Sequence, residues 1–261
     1  MKEDLILVLG ASGNIGGKIA DELLEAEANI AVAGRDRARL QRFEGRATIL
    51  DGDFGDDSFL KGAFSGVSRL FLTIPDEHLI NPTATGTRLG NLLEGTAVRH
   101  IVNISNCITK KAGVSTRLVA MEHELNKLPE VNILHLRCAN FFENLNWGLH
   151  TPYAPDLQLP YISSYEVAHV TARQLLNPTF KGKTVKALLG ARDYSMAELA
   201  AAAGAKYIQL PYTSVTEAFF RPFNEGNFEM ETRTGANTST FIEARFTLEH
   251  FIQHGLVRQT D

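Results

Sequence analysis

Three glycines set the first chemical expectation. Gly10, Gly13 and Gly16 stand in the run Gly10-Ala11-Ser12-Gly13-Asn14-Ile15-Gly16, a G-x-x-G-x-x-G spacing. Placed between a buried strand and an amphipathic helix, such a run presents free backbone N–H groups and the positive end of a helix to a diphosphate. Gly10 permits the sharp turn, Gly13 lets the backbone approach the anion, and Gly16 allows close helix–strand packing. The bland alternative is a glycine turn with no ligand. An ATP-type phosphate loop fails on spacing, because Ser12 stands where its first glycine belongs and Ile19 follows Gly17-Lys18 where Ser or Thr is required. Ala11, Ser12, Asn14 and Ile15 join the three glycines as the expected diphosphate contacts.

A second group of residues bears on the adenosine end of a dinucleotide. The second apolar run ends Ala33-Gly34-Arg35-Asp36-Arg37. A carboxylate at this strand end accepts from the ribose 2′-OH of NAD, but Gly34 occupies the place. Arg35 can pair with a 2′-phosphate and stack on adenine, so NADP(H) is the preferred cofactor and NAD(H) stays open. Asp36 is the alternative acid in a shifted register, and a solvated basic turn is the plain reading of the arginines. Asp53, followed by Phe54, is placed to accept from the adenine amino group, or equally to open a helix. Thr73-Ile74-Pro75 ends the fourth strand and is expected to run beneath the cofactor.

The elements that would hold these residues alternate. Leu5–Leu9, Asn29–Ala33, Ala47–Leu50, Arg69–Ile74, His100–Ile104 and Val131–Leu136 read as strands. Helical patterns start at Asn14, with Ile15, Ile19 and Leu23 four apart, at Leu40 and Phe43 before Gly45, and over Ser58–Phe64, Leu89–Ala97 and Leu118–Leu128, where Pro129 is a stop. The alternation predicts an α/β chain: a Rossmann-type doubly wound parallel sheet with a smaller α/β C-terminal domain. The expected division is 1–150 for the dinucleotide-binding domain and 151–261 for a substrate or lid domain over the carboxyl ends of the strands, with interleaving allowed. In the second part, Ser164–Leu176 and Phe241–His254 read as helices and Thr184–Leu189 as a strand. Ser195 and Glu198 make a capping box, and the stretch Pro222–Thr240 is polar and glycine-containing.

Composition narrows the function classes. A net charge of −4 gives no basic face for direct binding of nucleic acid. Cys107 and Cys138 are too few for a disulfide framework, and free thiols in a reducing compartment are expected. The N-terminal apolar run is too short for a signal peptide, and no stretch reaches the roughly 20 apolar residues of a membrane span. A cytoplasmic protein acting on a small-molecule acceptor is the expectation, and a homodimer stays open.

The assembled residues resemble the NmrA-like branch of the atypical short-chain dehydrogenases/reductases. The glycine loop carries the resemblance, with Gly34-Arg35-Asp36, Gly52-Asp53-Phe54-Gly55-Asp56 and Leu136-Arg137-Cys138-Ala139-Asn140-Phe141-Phe142-Glu143-Asn144. Glu166-Val167-Ala168 and Thr247-Leu248-Glu249-His250-Phe251 extend it along the chain. It implies a Rossmann domain, a small C-terminal domain and NAD(P) binding, usually NADPH. Within the branch some members look like quinone, azo-dye or triphenylmethane reductases, and others bind dinucleotide and report redox state without turnover. Asn140, Phe141 and Phe142 are expected beside the nicotinamide, although core packing explains the two aromatics equally well.

The proton relay of the typical short-chain dehydrogenases, Tyr-x-x-x-Lys, is missing: none of the six tyrosines is followed four residues later by lysine. No metal site is expected, since Lys127 breaks an H-E-x-x-H pattern at His123. Ser105 and His123 remain as catalytic candidates, Ser105 against a strand-end role and His123 against a solvated helix position. Cys107 reads as a reactive thiol or a buried inert one, and Lys110-Lys111 as a crevice-facing pair or a wet loop. Reduction of a quinone-like or dye-like acceptor needs no tyrosine, only a positioned electrophile in a dry pocket. Phe141, Phe142, Trp147 and Tyr153 are the aromatic residues proposed for that pocket, and Asn224–Thr238 reads as a lid or an ordinary loop. The rival function is a non-catalytic NADP(H)-binding sensor; a sugar-nucleotide epimerase is a third choice, and the missing Tyr-x-x-x-Lys argues against it.

Overall fold

The structure is a computed structural model, and it describes residues 4–239 and 243–257. The chain folds as two compact units built from interleaved segments. The first holds residues up to 105, with 117–136 and 167–186; the second holds 106–116, 137–166 and the remainder from 187.

The first unit starts with β1 (Leu5–Leu9), a run of five apolar residues of which the last four are buried. That pattern fits a strand covered on both faces. There follow α1 (Asn14–Glu25), β2 (Ile30–Gly34), α2 (Arg37–Leu40), β3 (Thr48–Asp51), α3 (Asp57–Ala63), β4 (Val67–Leu72), α4 (Pro82–Leu93) and β5 (His100–Asn106). Two short strands, β6 (Ile108–Lys111) and β7 (Val114–Ser115), precede α5 (Arg117–Leu125) and β8 (Asn132–Cys138). After β9 (Asn140–Phe141) and β10 (Leu159–Ile162), the chain returns through α6 (Ser164–Leu176) and β11 (Lys183–Leu188).

The central sheet has seven strands in the order β11-β8-β5-β4-β1-β2-β3. β1 pairs in parallel with both β2 and β4, β2 with β3, and β4 with β5. The order reverses at β1, so the carboxyl ends of β1 and β4 flank the switch point where ligands of open α/β sheets sit. Both the parallel sheet and the helices of the expected Rossmann fold are therefore present. The core under it joins alternate residues of β1, β2 and β4 to Leu60, Phe64, Leu89 and Met121 of the helices and their ends. Arg69 of β4 donates to the last carbonyls of α6, Leu175 O at 2.9 Å and Leu176 O at 2.8 Å, which ties the returning helix to the sheet. His135, fully buried on β8, bonds the buried Asn103 on one side and the exposed Asn126 on the other, so both buried polar side chains find partners.

The expected helix at Leu89–Ala97 is misplaced. The real one opens at Pro82, with Asn81 accepting from Ala84 N at 3.0 Å, and stops at Leu93. Asn followed by Pro is a helix-start signal that overrides the apolar pattern farther on.

The second unit is stitched from shorter pieces: β12 (Asp193–Tyr194), α7 (Met196–Ala202), α8 (Glu217–Asn224), β13 (Phe228–Met230) and α9 (Leu248–His254). β10 lies between β12 and β9 in one small sheet, and β6 lies between β13 and β7 in another. The capping box is formed: Ser195 Oγ accepts from Glu198 N at 3.1 Å, and Glu198 Oε2 accepts from Ser195 N at 2.8 Å. The polar stretch Pro222–Thr240 is not continuous loop. Pro222 sits inside α8, and Phe228–Met230 pairs with β6. The single helix expected over Phe241–His254 breaks into a 3-10 turn at Ala244–Phe246 and α9, because Thr247 caps α9 through His250 N. Residue 240 of the polar stretch and residues 241 and 242 of the expected helix lie outside the described residues.

Candidate functional site

Backbone builds most of the site. Gly10 takes φ +68°, a left-handed conformation that L side chains avoid, and a Cβ there would lie 2.7 Å from Thr73 Cγ2 at the end of β4. The chain then bends back on itself, with Ala11 N donating to Ala33 O at 2.9 Å and Gly13 N to Gly10 O at 2.8 Å. Gly16 lies so close beneath that a Cβ on it would stand 2.4 Å from Gly10 O. No larger residue fits there without moving the loop or the helix. Gly13 is the N-cap of α1 and brings no side chain to its N–H groups, and the first turn has no acidic residue. An uncapped helix start with a glycine loop wrapped over it is a cradle for an anion. Ala11 is buried, Ser12 and Ile15 are half-buried, and Gly13 and Asn14 are exposed. Asn14 Oδ1 accepts from Lys18 Nζ at 2.6 Å.

Gly34 shows why the strand end carries no acid. A Cβ at Gly34 would stand 2.6 Å from Ser12 Oγ, so the Ser12 hydroxyl would have to turn aside before an NAD-type carboxylate could stem from this place. Asp36 is engaged otherwise: it caps α2, accepting from Arg39 N at 3.2 Å. Arg35 projects from the β2 edge with its guanidinium 3.3 Å from Glu77 Oε1 and 3.7 Å from Asp53 Oδ2. Asp53 does not open α3, whose cap is Asp56. It accepts instead from Gly55 N at 2.6 Å. Phe54 is almost fully buried, its ring 4.9 Å from that of His78, while its carbonyl accepts from Arg88 at 2.7 Å.

Thr73, Ile74 and Pro75 follow β4, with Thr73 against Gly10, Ile74 buried, and Pro75 O accepting from His78 N at 2.9 Å. Ser105, near the end of β5, is buried, and its Oγ has no hydrogen-bond partner among the described residues. Because β1 to β5 are parallel, Gly10, Arg35, Asp53, Thr73 and Ser105 all stand at the carboxyl edge of one sheet. His123 is exposed on α5.

Asn140 and Phe141 belong to the second unit, on β9, where Asn140 Nδ2 reaches Pro160 O at 3.4 Å. Among the described residues, no ring contact joins any two of the four aromatics proposed for one pocket. Phe142 is buried against Tyr161, Tyr194 and Phe251; Tyr153 packs on Phe220 and Phe223; Trp147 is 85% exposed. Asn224–Thr238 is no free lid either. Arg233 within it bonds Asp193 and the carbonyls of Leu189 and Gly190, and Glu231 pairs with Arg137 at 2.6 Å.

Lys110 and Lys111 lie on β6 rather than in a loop, Lys110 paired with Glu229 at 3.1 Å and Lys111 4.1 Å from the Phe219 ring. Cys107 is a buried free thiol. Burial, reinforced by the charges of Glu231 and Asp193, pushes it up to about 12, so it stays protonated and unreactive at neutral pH. Burial likewise raises Tyr153 and Tyr161, the opposite of what a proton relay needs.

Residues 10–126 match the model of an NAD(P)H-binding family. No curated protein matches the chain. A nucleoside-diphosphate-sugar epimerase from Staphylococcus aureus is similar at 17% identity, with 96% of this chain and 100% of that one covered and a TM-score of 0.75. The negative transcriptional regulator NmrA, in complex with NAD, is similar at 15% identity, with 86% and 83% covered and a TM-score of 0.69. This chain has an NmrA-like fold carrying an NAD(P)H-binding domain. The NmrA-like fold is shared as well by the NADPH-dependent quinone oxidoreductase QOR2 from Escherichia coli, in complex with NADPH, at 20% identity, 85% of each chain covered and a TM-score of 0.69. Among the described residues, no helix of this NmrA-like chain is long and apolar enough to cross a membrane.

The interior of the site was foreshadowed by its glycines. Glu77 was missed. It stands 42 residues from Arg35, and only the sheet order, with β2 and β4 on either side of β1, brings the two to the same edge.

Proposed function

We propose that this protein is an NADPH-dependent reductase of flat, quinone-like or dye-like acceptors. One observation carries the reading: an uncapped helix start under a glycine loop, with the guanidinium of Arg35 at the adjacent strand end and a glycine, Gly34, packed against Ser12 where an NAD-type acid would stand. In this reading Gly10, Ala11, Ser12, Gly13, Asn14, Ile15 and Gly16 hold the diphosphate. Gly34 and Arg35 accommodate the 2′-phosphate, Asp53 and Phe54 flank the adenine, and Thr73, Ile74 and Pro75 line the floor. When bound, the reduced nicotinamide supplies the reducing equivalents. The protein's own part is to orient an acceptor and keep water out, with Ser105 Oγ as the buried hydroxyl available to a ligand oxygen at the sheet edge. The relationship in fold to a quinone oxidoreductase supports this choice of acceptor. The two buried, free thiols support a reducing, cytosolic setting.

The test is consumption of NADPH in the presence of a panel of quinones and triphenylmethane dyes. Oxidation above background is expected with at least one of them, and none above background would remove the enzyme reading.

A sensor is the second reading, and one observation favours it. Of the aromatics expected to hold a flat acceptor, Phe142 and Tyr153 pack against other rings and Trp147 is 85% exposed. A sensor binds NADP(H) without turnover and changes its affinity for a protein partner with the redox state of the dinucleotide. Equal partner affinity with NADP, with NADPH and without either would dismiss it.

A further inference from the structure

We propose that Glu77 is a specificity-determining residue of the dinucleotide site, a built-in competitor for the Arg35 guanidinium that narrows the preference for a 2′-phosphorylated cofactor. This rests on the dinucleotide reading given above. One cation here faces two carboxylates: Arg35 NH1 donates to Glu77 Oε1 at 3.3 Å and lies 3.7 Å from Asp53 Oδ2.

The two acids are held differently. Asp53 is fixed by the N–H of Gly55 at 2.6 Å. Glu77 stands in the 3-10 turn Asp76–Leu79, its side chain 54% exposed, and among the described residues its carboxylate is held by Arg35 alone. The turn itself is anchored: Thr85 Oγ1 donates to His78 O at 2.6 Å, His78 packs on Phe54, and Leu79 is buried. The backbone thus delivers the Glu77 side chain to Arg35 while leaving it free to swing.

The consequence follows from charge. A 2′-phosphate at Arg35 must displace Glu77 and then sit near two like charges. A ribose 2′-OH displaces nothing and offers its proton to a carboxylate. The arginine favours NADPH, and the glutamate beside it reduces that advantage.

The adenosine halves of the cofactors isolate this effect. Calorimetric titration of wild type and Glu77→Gln with 2′,5′-ADP and 5′-ADP should show 2′,5′-ADP binding about fivefold tighter in the variant, the upper end of what an exposed ion pair is worth. Binding of 5′-ADP should change less than about twofold, and the gain should shrink in high salt. Equal changes for both ligands, or none, would overturn the role of Glu77 while leaving the dinucleotide site standing. If wild type binds neither half, nor NADPH nor NADH, the site reading falls and this inference with it. The unliganded melting temperature of Glu77→Gln should match wild type, since the side chain is exposed.

Discussion

The two units solve different problems with different parts. In the first, the residues that count chemically are nearly all backbone, in a glycine loop set between long, regular elements. In the second, short strands and turns are held by side chains: aromatic rings packed edge to face, Arg233 spread over two carbonyls and a carboxylate, and helix caps at Ser195 and Thr247. A ligand site made of backbone is sensitive to any added atom. A scaffold made of side chains tolerates single losses at a modest cost. Variants in the first unit should therefore alter ligand binding, and variants at the caps of the second should alter stability alone.

Gly16→Ala should break that contrast most severely if it is wrong. The new methyl would stand 2.4 Å from Gly10 O, so loop or helix must move. Overpacking of this kind costs about 1–3 kcal/mol of stability. If the loop moves, two or more charge-assisted N–H bonds to phosphate are lost, and NADPH affinity should fall by about a hundredfold or more. Fluorescence titration with NADPH, beside a thermal melt, separates the two effects. A variant that binds NADPH as wild type does would show that the loop does not hold the diphosphate.

Arg35→Ala comes next. Removing one charged hydrogen-bonding group should weaken NADPH roughly tenfold to thirtyfold and leave NADH nearly unchanged, with stability intact because the side chain is 63% exposed. Equal losses for the two cofactors would mean that Arg35 does not read the 2′-phosphate.

The same contrast explains what could be read from the amino-acid order. β1, the loop and α1 were legible because a buried strand, three glycines and an i, i+4 apolar face are all local signals. The start of α4 was also written locally, in Asn81-Pro82, but the apolar residues from Leu89 onward drew the expected helix too far along. In the second unit β6, β9, β12 and β13 run only two to four residues, too short for any period to emerge. α8 was hidden by Pro222, although Glu217 and Arg221 pair one turn apart and Phe219, Phe220 and Phe223 share the helix. At the site, the glycines and Arg35 announced themselves. Asp53 was read as an adenine contact and not as a partner of Arg35, and Glu77 was not read at all, because ion pairing across strand ends depends on sheet order, which no local pattern encodes.

The smallest expected effect lies in the second unit, at Glu198. Its carboxylate accepts first from the Ser195 N–H, then from Gln158, and is paired with Arg192, which together hold it at about 2, well below the ordinary value of 4.5. A carboxyl depressed in the folded state contributes stability above its unfolded value and loses it as pH falls through the folded one. The contribution of Glu198 is thus present above about pH 4.5 and vanishes toward pH 2. Because the side chain is 41% exposed, solvent holds it to about 1 kcal/mol or less. Glu198→Gln should lower the melting temperature slightly at pH 7, converge with wild type as the pH drops below 4.5, and leave NADPH affinity untouched at neutral pH. Urea melts across that range, with a cofactor titration at pH 7, check both halves. A change in NADPH affinity comparable to that of Arg35→Ala would mean that the cap of α7 and the dinucleotide site are energetically coupled, and the division of labour between the two units would not hold.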